Sequence, residues 1–411
     1  MKFQFNKTQN LFQNPEASAD LVTGSITDSQ WNDWSWQLRN SFKTEKDFST
    51  FFQLSDSEKK AFASGKEIFN IRTTPYYASL ADKKNPLDPI RRIFMPHEKE
   101  LFDAKPSEFD PLGERKFANN PVPRIIHRYS DRVLFLVTDI CSVYCRYCTR
   151  KHFTATDQAF IKNDEYENAL KYIQRHTGLR EIILSGGDPL TVSDGQLDRI
   201  LFDLRKIEHV EIIRIGTRMP VVAPQRITDD LVKIIRSHKP VFMMTHFNHP
   251  RELTFESASA LEKCVDHGIP VMNQMVLLNG VNNHAAIVQA LSRRLLFLRA
   301  KPYYMFQCDP SMGTDYLRTS IDDSLKIQNE LWGHLSGLAM PTLSVDIPNG
   351  GGKMYYTPDF QKEISIQKRI FTGWDGVSAE YINPEASTIL KPIDYELYLP
   401  EWDQLKNSKN S

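Results

Sequence analysis

Val133-Leu-Phe-Leu-Val137 runs through Thr138-Asp-Ile into Cys141-Ser-Val-Tyr-Cys145-Arg-Tyr-Cys148. A short apolar, β-prone run that ends in a polar turn reads as a strand with a loop at its carboxyl end. Six further runs of this kind follow, at residues 181–184, 210–215, 241–244, 271–277, 303–306 and 343–347. Helix-period segments stand between them, for example residues 165–175 and 196–207. Repeated βα alternation implies an α/β fold with a parallel sheet, open or closed into a barrel. In such folds reactive groups gather at the carboxyl ends of strands. The unusual residues fall there. The cysteines follow the first run, Ser185-Gly186-Gly187-Asp188 the second, and Thr245-His246 the fourth.

Outward from this core the texture changes. Residues 1–120 read as helical and loop-rich, with Trp31, Trp34, Trp36 and Leu38 on a packing helix. Residues 75–96 hold four prolines and read as an extended arm. After the βα region (residues 121–355), residues 356–411 form a mixed, polar C-terminal extension with Trp374 and Trp402. The 411 residues carry 51 Lys plus Arg and 51 Asp plus Glu, a formal net charge of zero. That balance gives no electrostatic reason to expect nucleic acid or an anionic membrane as partner. No apolar run approaches the ~20 residues that span a bilayer, and Met1 to Asn14 lacks the apolar centre of a signal peptide. The expectation is a cytoplasmic protein. Five cysteines, three of them clustered, do not make a disulfide framework in a chain this long.

Cys141, Cys145 and Cys148 are spaced C-x3-C-x2-C. Structural zinc takes four ligands, and a cubane iron–sulfur cluster is usually held by four cysteines. Three thiolates on a cubane would leave one iron open to chelate something else. A zinc loop with a distant fourth ligand, or plain buried cysteines, stays open on these residues alone. Near the end of the βα region stands Val345-Asp346-Ile-Pro-Asn349-Gly350-Gly351-Gly352-Lys353. Met354 occupies the place of a magnesium-binding hydroxyl, so this is no nucleotide phosphate loop. A flexible glycine arm presenting one lysine suits Schiff-base chemistry, and a solvated loop lysine is the plain alternative.

The cysteine spacing and the Gly-Gly-Asp segment resemble the radical S-adenosylmethionine (SAM) superfamily. The chain as a whole is similar to the lysine 2,3-aminomutase family. The likeness runs from Trp31-Asn-Asp-Trp34-Ser-Trp36-Gln-Leu38 through Thr74-Pro75-Tyr76-Tyr77, His127-Arg128-Tyr129 and Asp131-Arg132-Val133. It continues over the cysteines and Thr245-His246-Phe247-Asn248-His249-Pro250 to Gln307-Cys308-Asp309 and Lys353. The resemblance implies a partial (β/α)6 TIM-like radical SAM barrel. It implies a [4Fe-4S] cluster on Cys141, Cys145 and Cys148, and SAM with its amino group on Ser185, Gly186, Gly187 and Asp188. It implies pyridoxal phosphate (PLP) bonded to Lys353, with its phosphate on Arg128 and Arg132 and Gln274 near the cofactors. Arg150 would grip the substrate carboxylate. An electron donor and a homo-oligomeric state complete the expectation.

Asp309 and Asp346 both lie near strand ends. Two nearby buried carboxylates repel unless a cation joins them, and the terminal ammonium of lysine would supply one. By resemblance, lysine-acting members carry acids at both positions and glutamate-acting relatives do not. The expected reaction is therefore the 2,3-amino migration that turns L-lysine into β-lysine. Arginine or another cationic amino acid is the alternative substrate, and a non-catalytic iron–sulfur protein the alternative class. The chain departs from some relatives at Tyr147, where they have histidine, and at Asn349 within the glycine run. No cysteine follows Cys308, so no structural zinc is expected in the tail, and Cys264 and Cys308 read as core residues.

Overall fold

The computed structural model describes residues 26–64, 69–102, 110–115, 120–151, 154, 160–348, 351–364, 368–382, 395–400 and 403. Trp402, Asn349 and Gly350 lie outside the described residues, as does the Met1 to Asn14 segment.

Nine strands form one sheet in sequence order: β1 Ile125–Tyr129, β2 Arg132–Thr138, β3 Glu181–Gly186, β4 Ile212–Gly216, β5 Val241–Thr245, β6 Val271–Leu277, β7 Ala300–Gln307, β8 Thr342–Ile347 and β9 Gly352–Tyr355. The seven strands β2–β8 are parallel, and helices lie in every crossover between them. These are the seven runs read from the sequence. One antiparallel strand is added at each end, β1 on β2 and β9 on β8. Strands β3, β4 and β5 show the reason for the legible core. Ile182, Leu184, Ile213, Ile215, Val241 and Met243, alternate residues on the face turned to the helices, are all buried, while Ile183 and Arg214 on the other face line a cavity.

The sheet curls until its ends meet. The backbone N–H of Lys353 on β9 donates to the hydroxyl of Tyr129 on β1 at 2.9 Å. The result is a nearly closed, barrel-like α/β sheet.

The prolines of residues 75–96 do not make an extended arm. They start helices: Thr74 caps Pro75–Ser79 and Asp88 caps Pro89–Phe94, each with proline in the first turn. Proline is favoured there because its missing N–H would have no intrahelical partner anyway. These helices pack onto the barrel. Thr74 Oγ1 donates to the Val222 carbonyl at 2.5 Å, and the hydroxyls of Tyr76 and Thr254 meet at 2.5 Å. One hydrophobic cluster runs from Trp31 through the barrel to Leu343. Beyond it, β10 Gln361–Ile364, β11 Lys368–Thr372 and β12 Ser378–Ile382 form a separate antiparallel sheet. Among the described residues no helix is long and apolar enough to cross a membrane.

Candidate active site

One cavity of about 580 Å³ opens at the carboxyl ends of the parallel strands. Cys141, Cys145, Cys148, Arg150, Ser185, Gly186, Gly187 and Asp188 line one side of it. Arg128, Arg132, Gln274, Asp309, Asp346 and Lys353 line the rest, so every candidate residue read from the sequence reaches the same space.

The cysteine loop is fixed by the segment after β3. Gly187 N donates to the Thr138 carbonyl and Asp188 N to the Ile140 carbonyl, both at 2.7 Å. A Cβ on Gly186 would lie 2.1 Å from the Thr138 oxygen, and one on Gly187 2.2 Å from the Ile140 oxygen. Gly186 also has φ +125°, which side chains disfavour. The glycine pair thus lets two backbones touch behind the cysteines. Asp188 accepts from Thr217 Oγ1 (2.6 Å), Arg218 N (2.7 Å) and Leu190 N (3.0 Å). Burial raises its carboxyl against the pull of those donors.

The three thiols face the cavity side by side. Burial and the neighbouring sulfurs push Cys148 up to about 11 and Cys141 well above the usual thiol range. Left bare, they would keep their protons; a cationic metal centre is what makes such thiols thiolates. Among the described residues no three His, Cys, Asp or Glu side chains converge as ligands of a single ion would. Three thiols lining one cavity, backed by the backbone bonds of the segment after β3, are a donor set that fits the cluster.

Opposite them, β8 and β9, which flank the glycine run, pair antiparallel. Lys353 sits on β9 in register with Asp346 on β8, and its Nζ lies 2.7 Å from Asp346 Oδ2. It also stands 4.2 Å from the centre of the Phe306 ring. The seven-residue spacing of aspartate and lysine is therefore a cross-strand pairing. Asp309 follows β7; burial first, then the Asp346 carboxylate, push its carboxyl up to about 7, although it keeps some contact with cavity solvent.

Arg150 is held by Glu114 through Nε (2.9 Å) and Nη2 (3.0 Å), and its Nη1 donates to Ser185 Oγ at 3.2 Å. Arg128 donates to the Leu112 carbonyl, while its buried Nε has no partner among the described residues. Arg132 pairs with Asp131 at 2.7 Å and lies 4.0 Å from the centre of the Tyr129 ring.

A model of the radical SAM superfamily matches residues 135–289, and one described as lysine-2,3-aminomutase matches residues 328–408. An L-lysine 2,3-aminomutase of Fusobacterium nucleatum is 41% identical over 364 residues, covering 89% of this chain and 85% of that protein. One of Clostridium subterminale is 42% identical over 359 residues, covering 87% and 86%. The chain belongs to the lysine 2,3-aminomutase family. It is a radical SAM aminomutase, an isomerase, and its radical SAM domain implies a [4Fe-4S] cluster and SAM. A glutamate 2,3-aminomutase of Clostridioides difficile is 37% identical, covering 89% of this chain and 86% of that protein.

Within this aminomutase several cavity residues escaped sequence reasoning. Glu114, the partner of Arg150, is one. Arg218 is another, with Nη1 2.8 Å from Cys145 Sγ. His246 lines the cavity, stacks on Tyr147 at 5.7 Å, and has no partner for Nε2 among the described residues. Burial and Arg218 hold it down to about 3, so it is neutral. Tyr147 also accepts from Asn248 Nδ2 at 2.6 Å, which gives the residue in the histidine position a structural task. The signal for His246 was present, since the Thr245-His246 pair ends β5. Cys264 and Cys308 are buried.

Proposed function

We propose that this aminomutase acts on L-lysine, with PLP on Lys353, and yields β-lysine. One observation carries the choice of substrate. Asp309 and Asp346 are neighbouring carboxylates, and the Lys353 ammonium acts on both, pairing directly with Asp346 at 2.7 Å. With Lys353 given over to a cofactor aldehyde, this carboxylate pair would favour another cation, and the ε-ammonium of lysine would supply one. A glutamate side chain would instead bring a third carboxylate to the same place. Family membership alone does not decide between these substrates, because relatives of both kinds match.

Lys353, the unpartnered Nε of Arg128 and the Arg132 guanidinium fit PLP: an amine for its aldehyde and two forks for its phosphate. Bound there, PLP supplies an electron-accepting ring that carries the migrating nitrogen. SAM and the cluster supply the hydrogen-abstracting radical when reduced by an external one-electron donor.

The chain's own residues bind, orient and exclude water. Among the described residues Glu114 and Ser185 take one N–H each from Nη2 and Nη1 of Arg150, which leaves one on each nitrogen for the α-carboxylate. The aspartate pair fixes the far end, so lysine is stretched between two charged anchors. Gln274 on β6 lines the same cavity and would stand beside this path. Ser185 and the backbone of Gly186, Gly187 and Asp188 would face the amino group of SAM.

The test is anaerobic reconstitution with iron, sulfide, PLP, SAM and dithionite, followed by product analysis on lysine, glutamate and arginine. Lysine is expected to give a 3-amino product at a kcat/KM far above the other two. Preference for glutamate or arginine would sink the proposal.

A further inference from the structure

We infer that Arg218 raises the electron affinity of the iron–sulfur cluster through a charged hydrogen bond to Cys145, and that Glu252 and Tyr77 hold it in place. The inference needs the cluster but not the choice of lysine as substrate.

Arg218 follows β4, and its backbone N–H is taken by Asp188 at 2.7 Å. Its Nη1 donates to Cys145 Sγ at 2.8 Å, the one side-chain hydrogen bond to a cysteine of the run among the described residues. Nη2 donates to Glu252 Oε1 (2.8 Å) and to the Tyr77 hydroxyl (3.1 Å), and Nε to the His246 carbonyl (3.3 Å). Tyr77 in turn donates to the same Glu252 oxygen at 2.5 Å. The other Glu252 oxygen is spent on the backbone N–H groups of Asn248 (2.5 Å) and His249 (2.9 Å).

A comparison inside the molecule separates this arrangement from an ordinary buried ion pair. Arg146 sits beside Cys145 in sequence, yet it turns away and grips both oxygens of Glu100 through Nε and Nη2. Arg91 does the same with Glu58. Those are two-pronged pairs that close on themselves. Arg218 gets only one oxygen from its carboxylate, and the arm left over points at sulfur. Its side chain keeps 11% exposure while Glu252 has none, so the guanidinium is at the cavity wall and its anchor behind it.

The physical effect has a definite sign. One-electron reduction adds a negative charge to the cluster and its thiolates. A cationic donor on a ligand sulfur stabilises the reduced state more than the oxidised one, which raises the midpoint potential. The electron comes from the external donor and passes on to SAM; Arg218 neither gains nor loses a proton.

The experiment is an EPR-monitored redox titration of the reconstituted enzyme, poised with dithionite and low-potential dyes, with iron content as loading control. In Arg218→Met the ratio of reduced to oxidised cluster, read at the wild-type midpoint, should fall about tenfold, equivalent to about 59 mV for a one-electron couple. Arg218→Lys keeps the charge without the fork and should shift less, in the same direction. A wild-type midpoint in fully loaded Arg218→Met overturns the inference. Should that variant fail to load, Arg218→Lys decides: a shift to lower potential supports the inference, and none overturns it. Loss of iron from both variants at unchanged thermal stability would also overturn it, making Arg218 a residue of cluster assembly.

Discussion

On the cysteine side of the cavity, adjoining strand ends lock one another. The backbone after β3 bonds the backbone after β2, Asp188 ties both to the start of the segment after β4, and Arg218 extends the tie to β5 and to the helix holding Tyr77. On the lysine side, the two free ends of the sheet meet through the bond from Lys353 N to Tyr129, and two neighbouring carboxylates face the Lys353 ammonium, which pairs with Asp346. The first side is cross-tied by these bonds, with His246 Nε2 left without a partner among the described residues. The second side is left electrically incomplete, and its geometry depends on a seam. The difference suits a site that must fix one cofactor permanently while exchanging substrate and product.

The largest expected effect lies on the locked side. Cys145→Ala removes a cluster ligand and the target of Arg218, so the reconstituted protein should show neither a cluster EPR signal nor turnover. Cys264→Ala is the contrast: that thiol is buried against Met243 at 3.8 Å, and its loss should lower stability while cluster and turnover remain. Turnover in the Cys145 variant would break the division between the two sides.

Next comes the incomplete side. Asp309→Asn removes one of the two carboxylates that await a cation, and removing one partner of an enclosed charge pair costs about 2–5 kcal/mol. The loss should appear mainly as a higher KM for lysine, with cluster content unchanged. Its pH dependence has a fixed sign. The folded carboxyl keeps its proton up to about 7, whereas the unfolded one loses it near ~3.9. Asp309 therefore reduces stability progressively as pH rises from the lower value to the upper, and by a constant amount above it. Below the upper value lysine must expel that proton to bind, so kcat/KM should climb with pH and level off past neutrality. Asp309→Asn should flatten that climb and be relatively more stable at pH 8 than at pH 5. A climb that persists in the variant would assign it to another group.

The same contrast explains what the sequence disclosed. Strands β2–β8 were legible because each carries β-branched or other apolar residues on the face buried under the helices, as Ile213 and Ile215 do on β4. The end strands were not: β1 reads Ile-Ile-His-Arg-Tyr and β9 Gly-Lys-Met-Tyr, with no apolar run and with glycines that pass for a loop. The prolines of residues 75–96 misled because a capping residue before proline begins a helix as readily as a turn. The cysteines and Lys353 stood out because their chemistry is local in sequence. Arg218, Glu252 and Tyr77 did not, since Arg218 and Tyr77 lie 141 positions apart and only the fold makes them neighbours.

The smallest effect probes the seam itself. Tyr129→Phe deletes the acceptor for Lys353 N–H and leaves that partly buried donor without a partner, at a cost of about 1 kcal/mol. The hairpin carrying Lys353 and Asp346 would be held less firmly to β1, and β1 also carries Arg128. Affinity for PLP should then fall about fivefold, as that energy implies, measured by absorbance on titration with PLP. Nothing in the seam touches the backbone bonds behind the cysteines. Iron content and midpoint potential should therefore equal those of the wild type. A midpoint that moves with Tyr129→Phe would mean that the seam and the cluster side respond as one body, and the contrast between them would fail.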